Sequence, residues 1–307
     1  MLNILGKRYW FFALSLVIIL SGILLLAVRG VPISIDFKGG TLLEVEFASG
    51  NLPDTTQVKA IYDKMDISDA QIQTTPDGIM ILRSSAVTED QRVAIVDELS
   101  ALANEQVLVR KFDAVSPTIS QKVTRNAALA VSLAALAVVV YITWAFRGVQ
   151  HAFRFGLCAI LAMLHDVLIV VSVMAIGGNY FGWQVDSLFL TALLTVIGFS
   201  VQDKIVVFDR IRENSNIYRK LPFETLANHS IIQTLQRSIN TQLMTVEFML
   251  LAMALFGGVT LREFSVILLV GLLSGTYSSI FIAAPTLVVW ENQEWKTWFK
   301  KNRTSAA

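Results

Sequence analysis

Six long apolar stretches constrain this chain more than any other feature: roughly 9–28, 126–146, 154–176, 186–208, 236–257 and 264–290. About 20 residues of helix, rising about 1.5 Å each, cover the hydrocarbon core of a bilayer. Inside that core only a helix or a closed barrel satisfies its own backbone, and runs of this length predict helices. Composition enters only as support: 54% of the residues are hydrophobic and the mean hydropathy is +0.59, more apolar than a soluble core of this size requires. Lys7 and Arg8 before the first run imitate a secretory signal. The run is long for one and lacks a small-residue cleavage pattern, so it predicts an uncleaved spanning helix.

The short loops set the orientation. Lys7, Arg8, Arg147, Arg154, Arg210, Arg212, Arg219, Lys220, Lys296, Lys300, Lys301 and Arg303 fall on one side, against Arg262 alone in the opposite loops at 177–184 and 257–263. The positive-inside rule then places both termini in the cytoplasm of a bacterial inner-membrane protein, and the polar segment between the first two runs in the periplasm. The expected division is 1–29 (cytoplasmic N-terminus and first span), 30–122 (periplasmic domain), 123–292 (spans two to six) and 293–307 (basic cytoplasmic tail, with Trp295 and Trp298 as an interfacial anchor on anionic lipid).

Within 30–122, Thr41 to Phe47 alternates like a half-buried strand, and Asp54 caps a helix through Val58, Ile61, Tyr62 and Met65. Two short strands, 70–75 and 79–83, flank the turn Pro76-Asp77-Gly78. Thr88 and Gln91 form a capping-box pattern before a second helix, and 107–112 is a last strand. The order β-α-β-β-α-β predicts a small ferredoxin-like α+β domain, a fold that says little about function. Its excess of acidic residues argues against nucleic acid.

Function classes narrow quickly. One cysteine, Cys158, and three scattered histidines, His151, His165 and His229, offer neither disulfide nor metal spacing. No nucleophile or second acid stands ready to complete a hydrolytic site around His165-Asp166, so no enzyme and no cofactor are expected. Charges inside spans are costly, about 2.5–3.5 kcal/mol on insertion scales, and point to function. Asp203 in the fourth run and Arg237 early in the fifth fall at similar depth. They form either a static pair between helices or a carboxyl switched by its surroundings, as a proton-coupled cycle requires. Asn240 and Thr241 share a helix face with Arg237. Asp166 either hydrogen-bonds to another span or joins a proton path. Glu247 is either a protonated structural group or a second ion-binding carboxylate. Lys204, beside Asp203, is expected to face away from it and to snorkel to water. The paired glycines of IDFKGGT, with Asp36, Gly39 and Gly40, predict a tight turn feeding a strand.

Four segments together resemble the SecF side of the SecD–SecF protein-export family, in the resistance–nodulation–division superfamily. They are IDFKGGT after the first run, LHDV (164–167), GFSVQDKIVVFDRIREN (198–214) and QRSINT (236–241). The resemblance spans nearly the whole chain and implies one half of a two-subunit transporter-like core of six helices. It implies an auxiliary role late in secretion, driven by a proton or sodium gradient. Its implied partners are a SecD-like subunit, a YajC-like protein, the SecY–SecE–SecG channel and translocating preproteins. Asp203 would be the coupling carboxylate and Arg237 its partner. The chain departs from the family's Asn-Asp-Thr at Gln202-Asp203-Lys204, and at Gln242, Met244 and Glu247. A half-size exporter of small molecules or lipids in the same superfamily is the alternative, although such exporters usually carry two halves in one chain.

Overall fold

The computed structural model describes residues 3–48, 52–67, 69–75, 78–147, 152–242 and 248–296, and divides into two compact units. One comprises residues 32–130 and 184–187; the other holds 1–31, 131–183 and 188–307.

The smaller unit carries a sheet of β1 (Gly40–Phe47), β2 (Gln71–Thr74), β3 (Ile79–Ser84) and β4 (Val107–Val115) in the order β2-β3-β1-β4, all neighbours antiparallel. Helices α3 (Thr55–Lys64) and α4 (Glu89–Ala103) complete the β-α-β-β-α-β order read from the sequence. Alternation in β1 sends Leu43, Val45 and Phe47 into the core. There they meet Val58, Ile61 and Tyr62 of α3 and Ile95 and Leu99 of α4. At about 1.5–3 kcal/mol per buried large apolar side chain, this core is the main force holding the unit together. Both helix starts are closed as expected. The Asp54 carboxylate accepts from Thr56 N, and Thr88 and Gln91 form a reciprocal capping box. Pro76 and Asp77 lie outside the described residues.

A short helix, α2 (Ile35–Lys38), precedes the paired glycines. Gly39 and Gly40 have φ of +78° and +128°. A Cβ on Gly40 would overlap the Ser84 carbonyl oxygen, and one on Gly39 would stand 3.3 Å from the Val115 carbonyl. The pair therefore lets the chain enter β1 between two strand ends, where no side chain fits. Asp36 does more than shape the turn. Its Oδ2 accepts from Ser187 N at 3.0 Å and Ser187 Oγ at 2.7 Å, at the first residue of α7 (Ser187–Ile217).

Among the described residues five helices are long and apolar enough to span a membrane: 5–29, 117–145, 152–181, 187–217 and 261–291. They correspond to α1 (Arg8–Arg29), α5 (Pro117–Ala145), α6 (Ala152–Phe181), α7, and the continuous run of α10 (Val259–Ser278), a π-helical turn (Ser279–Ala283) and α11 (Ala284–Glu291). The sixth expected span, 236–257, falls on the end of α8 (Phe223–Gln242) and on α9 (Phe248–Phe256), neither among the five, and residues 243–247 between them lie outside the described residues. α1 and α5 turn large apolar side chains outward, Leu16 and Leu24 on one, Leu133 and Val140 on the other, as lipid-facing helices do. Close helix contacts use small residues. A Cβ on Gly22 of α1 would overlap Ser172 of α6; one on Gly271 of α10 would overlap Val196 of α7; one on Gly275 would stand 3.3 Å from Ser200 Cα. At one end of the bundle, Arg8 bonds Glu224 at 2.9 Å and Glu294 at 2.6 Å, and Arg154 bonds Glu291 at 2.7 Å.

Candidate ion-coupling site

Two carboxylates are buried side by side in the helical unit, and their surroundings differ in sign. Asp203 on α7 is 7% exposed. Its Oδ1 accepts from Ser238 Oγ of α8 at 2.7 Å, and its Oδ2 accepts from Ser279 Oγ in the π-helical turn. Among the described residues it forms no ion pair. Asp166 on α6 is 1% exposed and accepts from every side: Ser200 Oγ at 2.6 Å, Ser274 Oγ at 2.8 Å, Ser278 Oγ at 2.7 Å, His165 Nδ1 at 3.1 Å and the Lys204 ammonium at 2.6 Å.

Consecutive residues serve the two groups. On α7, Asp203 faces α8 while Lys204 faces α6, as the roughly 100° between neighbours on a helix directs. At the end of α10, Ser278 reaches Asp166 and Ser279 reaches Asp203. The widened π turn begins at Ser279, and Pro285 just beyond it has no N–H to offer Phe281. Such single π turns recur at functional sites.

Two expectations require correction. Lys204 does not snorkel: its side chain is wholly buried and bridges α7 to α6. The GxxxG pair Gly271 and Gly275 draws α10 onto α7, so that the Ser274 and Ser278 hydroxyls reach Asp166 and a polar pocket replaces the route to water. Arg237, expected beside Asp203, is exposed in this chain, and its neighbour Ser238 takes the position facing Asp203. α8 is fixed in that rotation by Asn214 of α7, which bonds Ser230 at 2.8 Å and Gln233 at 2.9 Å. Arg237, Asn240 and Thr241 therefore make one exposed polar stripe. Glu247 lies outside the described residues, as do Gln242's side chain, Met244 and the tail from residue 297 with Trp298, Lys300, Lys301 and Arg303. Trp295 is exposed.

Sequence reasoning missed the hydroxyls. Ser200, Ser238, Ser274, Ser278 and Ser279 supply most of the hydrogen bonds to both carboxylates. The signal was present in the spacing: Ser200 and Lys204, like Ser274 and Ser278, are four apart and share a face. The neighbouring His165 also reaches Asp166, and its Nε2 is buried with no hydrogen-bond partner among the described residues.

A helical membrane unit built around buried carboxylates, carried in one chain with a small βαββαβ unit, belongs to the class of membrane transport components. More specifically, the chain belongs to the SecD/SecF family of protein export membrane proteins. The family's C-terminal region matches residues 95–293 and its GG motif matches 24–50. The chain is 65% identical to the protein translocase subunit SecF of Anaerolinea thermophila, over all of both chains. It is 43% identical to that of Thermobaculum terrenum, over 100% of this chain and 99% of the other. The crystal structure of SecDF, a translocon-associated membrane protein from Thermus thermophilus, superposes with a TM-score of 0.81 at 30% identity. It covers 95% of this chain, which spans only 39% of that longer one. A super-membrane-facing form of SecDF gives 0.68 over 96% and 39%. The chain is thus an auxiliary, non-enzymatic subunit for protein export in the inner membrane. Family membership implies a SecD partner and work at the Sec translocon.

Proposed function

We propose that this chain, with a SecD-like partner, uses an ion gradient to promote late preprotein translocation, and that Asp203 is the group that carries the coupling ion, proton or sodium. One observation carries the reading: Asp203 is buried and hydroxyl-bonded, without a counter-charge among the described residues, whereas Asp166 beside it has Lys204. Gain or loss of a cation at Asp203 changes the net charge of the interior. Its two ligands come from elements other than α7, Ser238 from α8 and Ser279 from the π turn. A charge change there therefore alters helix packing, which is what coupling to a conformational cycle demands.

Arg237 belongs to this reading as the cation that meets Asp203 in another state of the cycle. It stands one residue from Ser238, so a rotation of α8 of about 100° exchanges the hydroxyl for the guanidinium. Its exposed stripe with Asn240 and Thr241 suits the facing helices of the SecD-like subunit. Glu247 is assigned a supporting place in the ion path. Both termini lie in the cytoplasm and 30–122 in the periplasm, where the small domain meets the emerging preprotein. The SecY–SecE–SecG channel, a YajC-like protein and anionic lipid under the basic tail complete the surroundings.

The test is Asp203→Asn in inverted vesicles that contain the SecD-like partner and the Sec channel. Gradient-dependent stimulation of export should fall to the level without the subunit, while co-purification with the SecD-like chain is kept. Full stimulation in the variant would overturn the reading.

A further inference from the structure

We propose that Asp166, Ser200 and Ser278 form a binding site for a monovalent cation, and that this chain fills it permanently with its own cation, the Lys204 ammonium. The inference goes beyond the coupling reading. It concerns a different carboxylate and is measured without export, so either can fail alone.

An ammonium has three protons to donate. Lys204 Nζ finds three oxygen acceptors: Asp166 Oδ2 at 2.6 Å, the Ser200 carbonyl at 3.4 Å and Ser200 Oγ. Ser278 Oγ donates to the same Asp166 oxygen at 2.7 Å and so holds that carboxylate toward the ammonium. All of these are hard oxygen donors, the kind that alkali and alkaline-earth ions select, and no sulfur takes part. Charge fixes the valence. Among the described residues Asp166 is the one carboxylate facing the site from α6; Asp203 on α7 is turned to Ser238 and Ser279; α10 contributes hydroxyls, with the Tyr277 ring stacked on His165. One negative charge balances one positive charge, and a divalent ion would leave an excess charge buried. The lysine stem reinforces the point. A lysine near the membrane boundary ordinarily extends to water. This one folds back one turn, onto the carbonyl of the residue four before it, and is 0% exposed.

Removing the tethered ammonium should therefore open a site for a free ion. The full chain is purified in detergent at pH 8, and its thermal unfolding is followed in NaCl and in choline chloride of equal ionic strength. Any Na⁺ held at Asp203 acts alike in every variant, so the wild-type response to the two salts is the baseline above which the variants are read. Lys204→Ala should unfold earlier in choline and regain at least about 4 °C in saturating Na⁺. Methylammonium should act likewise. Lys204→Ala combined with Asp166→Asn should lose both responses. Should Lys204→Ala fail to accumulate in choline medium, preparation in NaCl must recover it. Absence of any Na⁺ response or recovery in Lys204→Ala overturns the proposal. So does an equal response in the wild type or in the double variant.

Discussion

Breaking the buried Asp166–Lys204 pair from either side should cost unequal amounts, and the structure gives the order. Lys204 is 0% and Asp166 1% exposed. Removing one partner of such a pair generally costs about 3–5 kcal/mol, because the other charge stays buried and uncompensated. In Lys204→Met, Asp166 still accepts from three serine hydroxyls and from His165, so the loss should lie near the lower value, about 3 kcal/mol. In Asp166→Asn, the ammonium is left with neutral acceptors alone, the two oxygens of Ser200 and the new amide oxygen, and no counter-charge, so the loss should approach about 5 kcal/mol. The double variant Asp166→Asn, Lys204→Met removes both charges and should be more stable than either single variant. Thermal unfolding of the detergent-solubilised chain reads all three. At roughly 2–4 °C per kcal/mol, the single variants should fall by about 6–12 °C and 10–20 °C. A double variant whose loss equals the sum of the two would refute the pair as a coupled unit. Equal losses in the singles would refute the hydroxyl cage as support for Asp166.

Three further outcomes test other parts of the structure. Gly271→Ala should destabilise the helical unit by about 1–3 kcal/mol through overlap with Val196, and adding Val196→Ala should recover most of it in the same unfolding assay. Gly40→Ala combines positive φ with overlap on the Ser84 carbonyl; it should cost about 2 kcal/mol or more and raise proteolytic cleavage of the small unit. The Arg110 guanidinium holds Glu46 below its ordinary value of 4.5. Its stabilisation is present above the unfolded value and lost as pH falls through the lowered one. The difference between wild type and Arg110→Met, small because the pair is exposed, should therefore be constant near neutrality and vanish in acid.

Much of this fold was legible because its elements obey simple periods. Thr88 with Gln91, Asp54, the alternation of β1 and the apolar lengths of α1, α6 and α7 each depend on local chemistry, which a single sequence carries. The surroundings of the buried charges depend instead on which face each helix presents, and that is decided by packing between distant segments. Lys204 illustrates the difference. Its position near the expected cytoplasmic boundary suggested water, but Gly271 and Gly275 bring α10 close enough to offer Ser274 and Ser278 to Asp166 and enclose the ammonium. Arg237 and Ser238 are neighbours in sequence, and only the rotation of α8, set by Asn214 with Ser230 and Gln233, decides which of them meets Asp203. Asp36 was read as part of a turn; its bond to Ser187 joins residues 151 apart and had no local signal.

In the proposed mechanism one buried carboxylate, Asp203, carries the coupling ion while Asp166 is held by Lys204. The direct measurement is gradient-driven ion movement in proteoliposomes containing this chain and its SecD-like partner. Asp203→Asn should abolish that movement, whereas the charge-free double variant Asp166→Asn, Lys204→Met should retain it. Ion movement surviving in Asp203→Asn, or lost only in the double variant, would contradict the account.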